Sequence, residues 1–415
     1  MTRLSRLLSL MLLALAFACQ SAEDRDPNHV RLVWFGSEEE ERAIREAVAE
    51  FEREYPGRRV TVQMVEWTRY TEKVMTMLMG LRPPDVARMS VQWCGRYQMV
   101  GALADLTPHL ASVELDDFVP SRLASCRAGD QIFGLPHTSI GLMLYCNLDL
   151  FEEAGIEIPA SPDEAWTWEE FSEVAQTLQR ETGVRFGWGM YRGWFALLPF
   201  LYQGGGHLLD GDDPDFANPE NIAALEWIID QHRRGIAPQT SWSFGGDPAE
   251  TLFIRGDCAM VITGNWRLVP YSQQITEFNW GVTYLPRGVR RAASTGGENI
   301  VVFDTPKVET ATLLVAFLTS RDAMSDFCAE TLFLPTRQSL LEGEVPYRMH
   351  REALERFIEQ GRDFEPEWTR EQSTPEFAAI DSVIVQQVEL AILGHQTARE
   401  SLVRINVEYR GAGFE

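Results

Sequence analysis

From Leu32 to Phe35 no polar residue interrupts the chain, and Arg31–Phe35 (RLVWF) reads as a buried strand. The period then changes. Ile44, Val48, Phe51 and Tyr55 recur at spacings of four and three, which predicts a helix over Glu39–Tyr55, stopped by Pro56-Gly57. Arg59–Val65 alternates and is rich in β-branched residues, so it reads as a second strand. Thr68–Leu81 reads as a second helix, Pro83-Pro84-Asp85 punctuates its end, and Val86–Met89 starts a third strand. This β-α-β-α-β opening predicts an α/β domain with a largely parallel sheet.

The alternation persists downstream. Thr167 and Glu170 form a capping box ahead of a helix that runs to Thr182. Asn218-Pro219 is an N-cap with proline at the first helical position, and Gly235 closes that helix. Ala259–Thr263 and Trp280–Leu285 read as strands, Thr310–Leu318 as a helix, and the region after Arg337 as mostly helical. No internal repeat stands out.

The first residues have a different character. Arg3 and Arg6 precede the uncharged apolar run Leu7–Ala18. A membrane-spanning helix needs about 20 apolar residues, so this run fits the apolar core of an export signal. Ala16-Phe17-Ala18-Cys19 resembles a bacterial lipobox. The expectation is a signal peptide over residues 1–18, a lipidated Cys19 and a tether over residues 19–29. The protein would then be held on the outer side of a bacterial membrane, periplasmic or at the cell surface, by its N-terminal lipid alone. The roughly 385 residues after the tether exceed what one core usually holds, so two lobes are expected.

Charge narrows the partners. The formal net charge is −24, and Lys73 and Lys307 are the only lysines. An acidic chain without a basic patch lacks the cations that displace counterions from nucleic acid. Five cysteines besides Cys19 (Cys94, Cys126, Cys146, Cys258, Cys328) are scattered, with no C-x-x-C. Outside the cytoplasm one or two disulfides are expected, with Cys94–Cys126 the favoured pair and at least one thiol free and buried.

Catalytic and cofactor signatures are missing from the sequence. There is no G-x-x-x-x-G-K-S/T, no H-E-x-x-H and no G-x-S-x-G. Gly187-Trp188-Gly189 starts like a dinucleotide fingerprint, but Arg192 stands where the third glycine belongs. The seven histidines are not at metal-ligand spacings. Neither cofactor nor metal is expected. Aromatics are more telling. Of twelve tryptophans, several lie beside turns and polar groups: Trp67 with Tyr70 at a strand-to-helix junction, Trp93 after the third strand, Trp266 after Gly264-Asn265. Aromatic faces stack on the apolar face of a pyranose, and Asp, Glu, Asn, Gln and Arg serve its hydroxyls. Open α/β sheets bind ligands at the carboxyl ends of their strands.

Taken in order, these landmarks resemble the extracellular solute-binding proteins of ABC sugar importers, the group that includes maltose-binding protein. They are Phe51-Glu52-Arg53-Glu54-Tyr55-Pro56, the Trp67–Tyr70 pair, Pro84-Asp85-Val86, Gly101–Leu106, Gly134–Pro136, Leu144–Phe151, Trp166–Phe171, Phe253–Met260, Gly264–Trp266, Gly296–Asn299 and Phe317–Ser320. The resemblance covers Val30 to about Tyr409. It implies a two-lobed clamp, each lobe a mainly parallel sheet flanked by helices. Three crossings are implied, near His137–Leu142, near Glu298–Phe303 and near Leu334-Pro335. Lobe one would be residues 30–138 plus 301–333, and lobe two residues 140–298 plus 336–415.

The resemblance also implies a ligand set. Ser37 and Glu38 would offer a carboxylate after the first strand, Trp67 and Tyr70 would wall the cleft, and Gln92 and Trp93 would replace a charged pair that serves maltose. His137 and Thr138 would lie at the first crossing. Tyr191, Arg192 and Trp194 would form the opposite wall, with Asn265 and Trp266. Gly297, Glu298 and Asn299 would reach the cleft at the second crossing. Asp85, Trp166–Phe171 and Cys146 read as structural. The resemblance thus implies a monomeric binding protein, not an enzyme, that closes on a mono- or oligosaccharide and delivers it to permease subunits with a separate ATPase. Other readings stay open: a secreted glycosidase or lyase, a binding protein for a phosphorylated polyol or polyamine, or a sensor docking on a membrane kinase.

Overall fold

The computed structural model describes residues 26–412 apart from Phe244, Glu344 and Ser373. The expected signal peptide, Cys19 and most of the tether lie outside the described residues. Among those described, no helix is long and apolar enough to cross a membrane.

Strand β1 (His29–Trp34) leads into α1 (Glu38–Glu54), β2 (Arg59–Met64), α2 (Trp67–Met79), β3 (Val86–Ser90) and α3 (Val91–Met99). The α1 helix starts where the chain dictates. Ser37 accepts from Glu40 N, the Glu40 side chain accepts from Ser37 N, and four acids fill the first turn. Its apolar stripe, Ile44, Val48 and Phe51, faces the core. A 14-residue strand, β4 (Gly134–Asn147), comes next.

The second half holds α4 (Trp168–Thr182), β5 (Phe186–Met190), α5 (Trp194–Gln203), α6 (Pro219–Arg233), β6 (Cys258–Gly264) and β7 (Trp280–Thr283). Thr167 and Asn218 cap α4 and α6 with their side chains, as the sequence predicts. Then come β8 (Thr295–Val302), α7 (Val308–Leu318), α8 (Arg321–Thr331), the short β9 (Leu334–Pro335), α9 (Arg351–Gly361), α10 (Pro375–Ile392) and α11 (Ala398–Ala412).

These nine strands join one sheet, ordered β2-β1-β3-β8-β4-β6-β5, with β7 and β9 also on β4. The β1–β2, β1–β3 and β5–β6 pairings are parallel. Every antiparallel pairing in this sheet involves β4 or β8. Residues Gly134–Gly141 of β4 pair with β8, and Leu142–Cys146 pair with β6. A single strand therefore serves both lobes. The α/β two-lobed class holds, with long antiparallel strands stitching two parallel sets together.

Alternation sends side chains to both faces. Leu32 and Trp34 of β1 join one buried cluster with Leu135, Val302 and Phe327, while Val33 and Phe35 join another with Tyr70, Met89 and Phe303. In the second lobe, Leu142 and Leu144 join the largest cluster with Trp188, Phe377 and Leu402, and Met143 and Tyr145 face Phe253 and Tyr271.

One charged network lies inside the first lobe. Arg88 of β3 is 1 % exposed, under the rings of Trp34 and Phe35 at 4.9 and 4.8 Å. Its guanidinium donates to Glu40, to Glu298 at 3.4 Å and to Phe35 O at 2.7 Å. Glu298 in turn accepts the Thr138 hydroxyl at 2.6 Å. Asp85 makes a second buried pair with Lys307 at 3.2 Å and accepts from Arg31 N. That role is structural, as expected.

The favoured Cys94–Cys126 disulfide does not form. All five described cysteines are free and buried. Cys94 packs on Ser90 O at 3.6 Å and receives Asn299 Nδ2 at 3.4 Å, which occupies its sulfur without a bridge. Burial pushes its thiol up to about 12 and raises the other four as well.

Arg88→Met leaves Glu40 and Glu298 buried without their cation. The expected loss is about 3–5 kcal/mol of stability, read as a lower urea midpoint. For a chain starting at Gln20, Ellman's reagent is expected to label no thiol in buffer and all five in guanidinium. Fast labelling of the native protein would contradict the burial described.

Candidate ligand-binding site

Four strands end on the same problem: how to leave the sheet with polar or aromatic side chains at their carboxyl ends. After β1, Phe35 packs edge-on against Trp67 at 4.9 Å and against Tyr70 at 4.7 Å. Trp67 is the first residue of α2 and is 42 % exposed. Its ring stacks on Trp93 of α3, with centroids 4.7 Å apart and planes inclined 28°. Gln92 sits half-buried beside Trp93. The stack is capped by buried Trp93 on one side and open to solvent at Trp67.

The second lobe has an aromatic group of its own. After β6 the chain reads Gly264-Asn265-Trp266. A Cβ on Gly264 would fall 1.9 Å from the Trp266 ring, so only glycine lets that indole fold back over the backbone. Trp266 meets Tyr191, which follows β5, edge-on at 5.6 Å, and Phe195 at 6.3 Å. Trp266 and Ile140 each pack against the clusters of both lobes, so the indole marks the junction. Trp194 is turned toward Phe377 of α10 at 5.0 Å. Arg192 pairs with Glu389 of α10 at 2.5 Å. Burial pushes the Tyr191 hydroxyl up to about 12, and the nearby carboxylates Glu250 and Asp381 add to it.

Helix α10 was not foreseen as part of the site. It belongs to the second lobe yet packs against α3 of the first. Its Asp381 is half-buried and is hydrogen-bonded by the side chain of Trp93 and by Ser382 N, with Arg96 nearby. Burial raises this carboxyl above its ordinary range despite those donors. One signal was available in the sequence: Asp381, followed by Ser382, in the middle of the apolar run Phe377–Val385 (FAAIDSVIV).

Several residues expected in the site have other work. Ser37 is the N-cap of α1, and Glu38 is exposed in its first turn. Tyr70 is 1 % exposed, with its hydroxyl against Val33 O at 3.0 Å and Arg88 O. The His137 ring lies between Trp34 at 5.5 Å and Phe327 at 4.5 Å. Burial, then Arg88, hold it well below the usual histidine range, so it is neutral. Thr138 and Glu298 belong to the Arg88 network. Asn265 accepts from Gly141 N at 3.2 Å and donates to Leu332 O at 3.1 Å, a strut rather than a ligand. Asn299 donates to Ser125 Oγ at 3.0 Å. Gly297 has φ +144°, and a Cβ there would lie 2.0 Å from Thr138 O, so its part is a close backbone crossing. The structure brings the expected residues Trp67 and Trp93 together in one stack with Gln92 beside them, and Tyr191 and Trp266 together in another, while Trp194 and Arg192 turn to α10. Among the described residues no group of three His, Cys, Asp or Glu is placed to hold a metal ion.

Gly264→Ala forces the Trp266 ring off its seat. The expected result is a folded protein, about 1–3 kcal/mol less stable, with altered near-ultraviolet dichroism and a red-shifted tryptophan emission. An unchanged spectrum would place the indole elsewhere.

Comparison with known proteins converges on one group. The family model described as bacterial extracellular solute-binding protein matches residues 46–351. The arabinooligosaccharide-binding protein of Bacillus subtilis is 24% identical over 329 residues, covering 75% of this chain and 74% of its own. An ABC substrate-binding protein of Listeria monocytogenes, solved in complex with cycloalternan, superposes with a TM-score of 0.80 at 21% identity, covering 94% of this chain and 100% of its own. UgpB from Mycobacterium tuberculosis, solved with glycerophosphocholine, gives 0.78 at 20% identity, covering 92% and 97%.

Proposed function

The chain belongs to the bacterial extracellular solute-binding protein family, and from that premise we propose that it captures a mono- or oligosaccharide between its two lobes. The family is one of extracellular binding proteins, so this chain works outside the cytoplasm. The observation that carries the sugar reading is the pair of aromatic walls. Trp67 stacks on Trp93 in one lobe and Tyr191 meets Trp266 in the other; the proposal sets these two surfaces on either side of the sugar. Flat rings take the C–H face of a pyranose. Gln92, Asp381 and the Arg192–Glu389 pair supply donors and acceptors for its rim.

In this reading the lobes are residues 30–138 plus 301–333 and residues 140–298 plus the C-terminal part. The packing of Leu340 and Val345 on the first lobe's cluster supports moving the third crossing from Leu334-Pro335 to the stretch after Val345. Ligand docks on one wall, the crossing strands flex, and the second wall closes. The closed form is handed to permease subunits whose ATPase is a separate chain. A lipidated Cys19 holds a monomeric receptor to the membrane. A phosphorylated ligand would need uncommitted cations. Arg88 is locked by Glu40 and Glu298, and Arg192 by Glu389, which leaves the exposed Arg69 and Arg96; the aromatic stacks favour the neutral sugar.

A chain starting at Gln20 is titrated with maltose, maltotriose, arabinotriose, D-tagatose and glycerophosphocholine, by tryptophan fluorescence and melting temperature. A ligand at 100 times its dissociation constant adds about 2.7 kcal/mol. The expected result is a saturable shift with a saccharide that is recovered intact. Response to glycerophosphocholine alone, or recovery of a cleaved sugar, overturns the reading. Trp67→Ala is expected to weaken binding at least about tenfold. Tyr70→Phe leaves affinity within about twofold and costs about 1–2 kcal/mol of stability.

A further inference from the structure

Strands β1, β2 and β3 run parallel, so their amino ends gather at one pole of lobe one, opposite the carboxyl ends that lead to Trp67 and Trp93. The described chain begins at this pole, where Asn28 O accepts from Arg59 N at 2.8 Å. The turn from α2 to β3 lies beside it, for Arg31 Nη2 donates to Pro83 O at 2.6 Å. The exit of α3 joins them through Asp304 N on Ala102 O and Phe303 N on Asp85 O, both at 3.0 Å. Three large apolar side chains stand out from these turns: Met79 is 78 % exposed, Leu81 89 % and Val100 62 %. Leu81 also has φ +55°, a left-handed conformation that strains a leucine and would suit a glycine. A strained leucine with its side chain in water contributes nothing to the packing of the lobe. Val289, Val403 and Val407 are exposed as well, but on lobe two. The pole is also close to charge balance in a chain of net charge −24. Arg59 pairs with Glu52 at 3.0 Å and Arg58 with Glu309 at 3.7 Å, while Arg31 and Arg82 offset Asp26 and Asp304 in number.

We infer that Met79, Leu81 and Val100 form a membrane-contact patch that seats the pole of lobe one on the phospholipid surface. The inference rests on the lipid-anchor part of the reading above. The length of chain before the pole decides the occupant. Six residues, Gln20–Arg25, separate Cys19 from Asp26. Fully extended chain spans that interval in at most about 25 Å. A lipid on Cys19 therefore holds this pole within that distance of the bilayer. Apolar side chains enter the headgroup boundary when little repelled charge comes with them. Acidic surface is held off an anionic leaflet, and the balanced pole is not. With the amino ends of β1 to β3 against lipid, their carboxyl ends and the aromatic stack that follows them face the medium, where ligand arrives.

The full chain is produced in a bacterium that processes lipoproteins, and mass spectrometry reads the state of Cys19. The purified protein is inserted into vesicles of phosphatidylethanolamine and phosphatidylglycerol. L81C, V100C and the lobe-two control V403C each carry one polarity-sensitive fluorophore, which is selective because the five described thiols are free but buried. Doxyl-labelled lipid in the vesicles quenches a fluorophore that touches the bilayer. The labels at L81C and V100C are expected to emit further to the blue and to be quenched at least about threefold more than the label at V403C. M79S/L81S, with unchanged melting temperature, is expected to return quenching at V100C to the control level. Equal quenching at all three positions overturns the inference and leaves the lipid anchor intact. Quenching at V100C that survives M79S/L81S also overturns it, because the tether alone then holds the pole near lipid. A Cys19 that carries no lipid overturns the anchor reading and the inference together, and leaves the saccharide reading standing.

Discussion

A guanidinium in the middle of a protein has to be answered by carboxylates, and Arg88 sets that condition for the first lobe. Buried ions cost several kcal/mol each unless paired and hydrogen-bonded. Arg88 takes Glu40 from the first turn of α1 and Glu298 from β8, under the faces of Trp34 and Phe35. Glu40 also completes the capping box with Ser37, and Glu298 holds Thr138 of β4. One charge thereby fixes where α1 begins, how β3 meets β8, and how β4 lies beside both at the crossing.

The network also explains what could be read from the sequence. Periodicity exposed α1 and β2, an unbroken apolar run exposed β1, and cap residues exposed α4 and α6. Caps at Thr167 and Asn218 work through nearest neighbours and are legible for that reason, whereas Ser37, which caps α1, reads in the sequence as a ligand residue. The site was harder. Ser37, Thr138 and Glu298 are polar groups in and beside the strands, the pattern a ligand site would show, but Ser37 bonds to Glu40, Thr138 bonds to Glu298, and both carboxylates answer Arg88, 48 and 210 residues away in the chain. Asn265 looked like a companion of Trp266 and instead ties Gly141 to Leu332. Asp381 was overlooked because nothing in its own segment says that α10 folds back against α3.

The walls divide stiffness from movement. Trp67, Trp93, Tyr191 and Trp266 are each held by other rings, so their faces are set before a ligand arrives. Between them run β4 and β8, whose register slips at Glu298/Asn299, next to Gly297 with φ +144°. A slip and a glycine in paired strands are where such a ladder bends. On the saccharide proposal, the aromatic surfaces approach as intact units while backbone at the crossing absorbs the change.

The shared strands have a bearing on how this chain is made and moved. The first lobe's cluster joins Val30 and Leu32 to Ile300, Phe327 and Val345, and the second joins Leu142 to Phe377, Leu402 and Tyr409. Neither interior can be completed while the ribosome still holds the last third of the polypeptide. Pairings so distant in sequence form slowly. For a member of an extracellular family, such slow pairing would leave an exported polypeptide unfolded for longer after its synthesis.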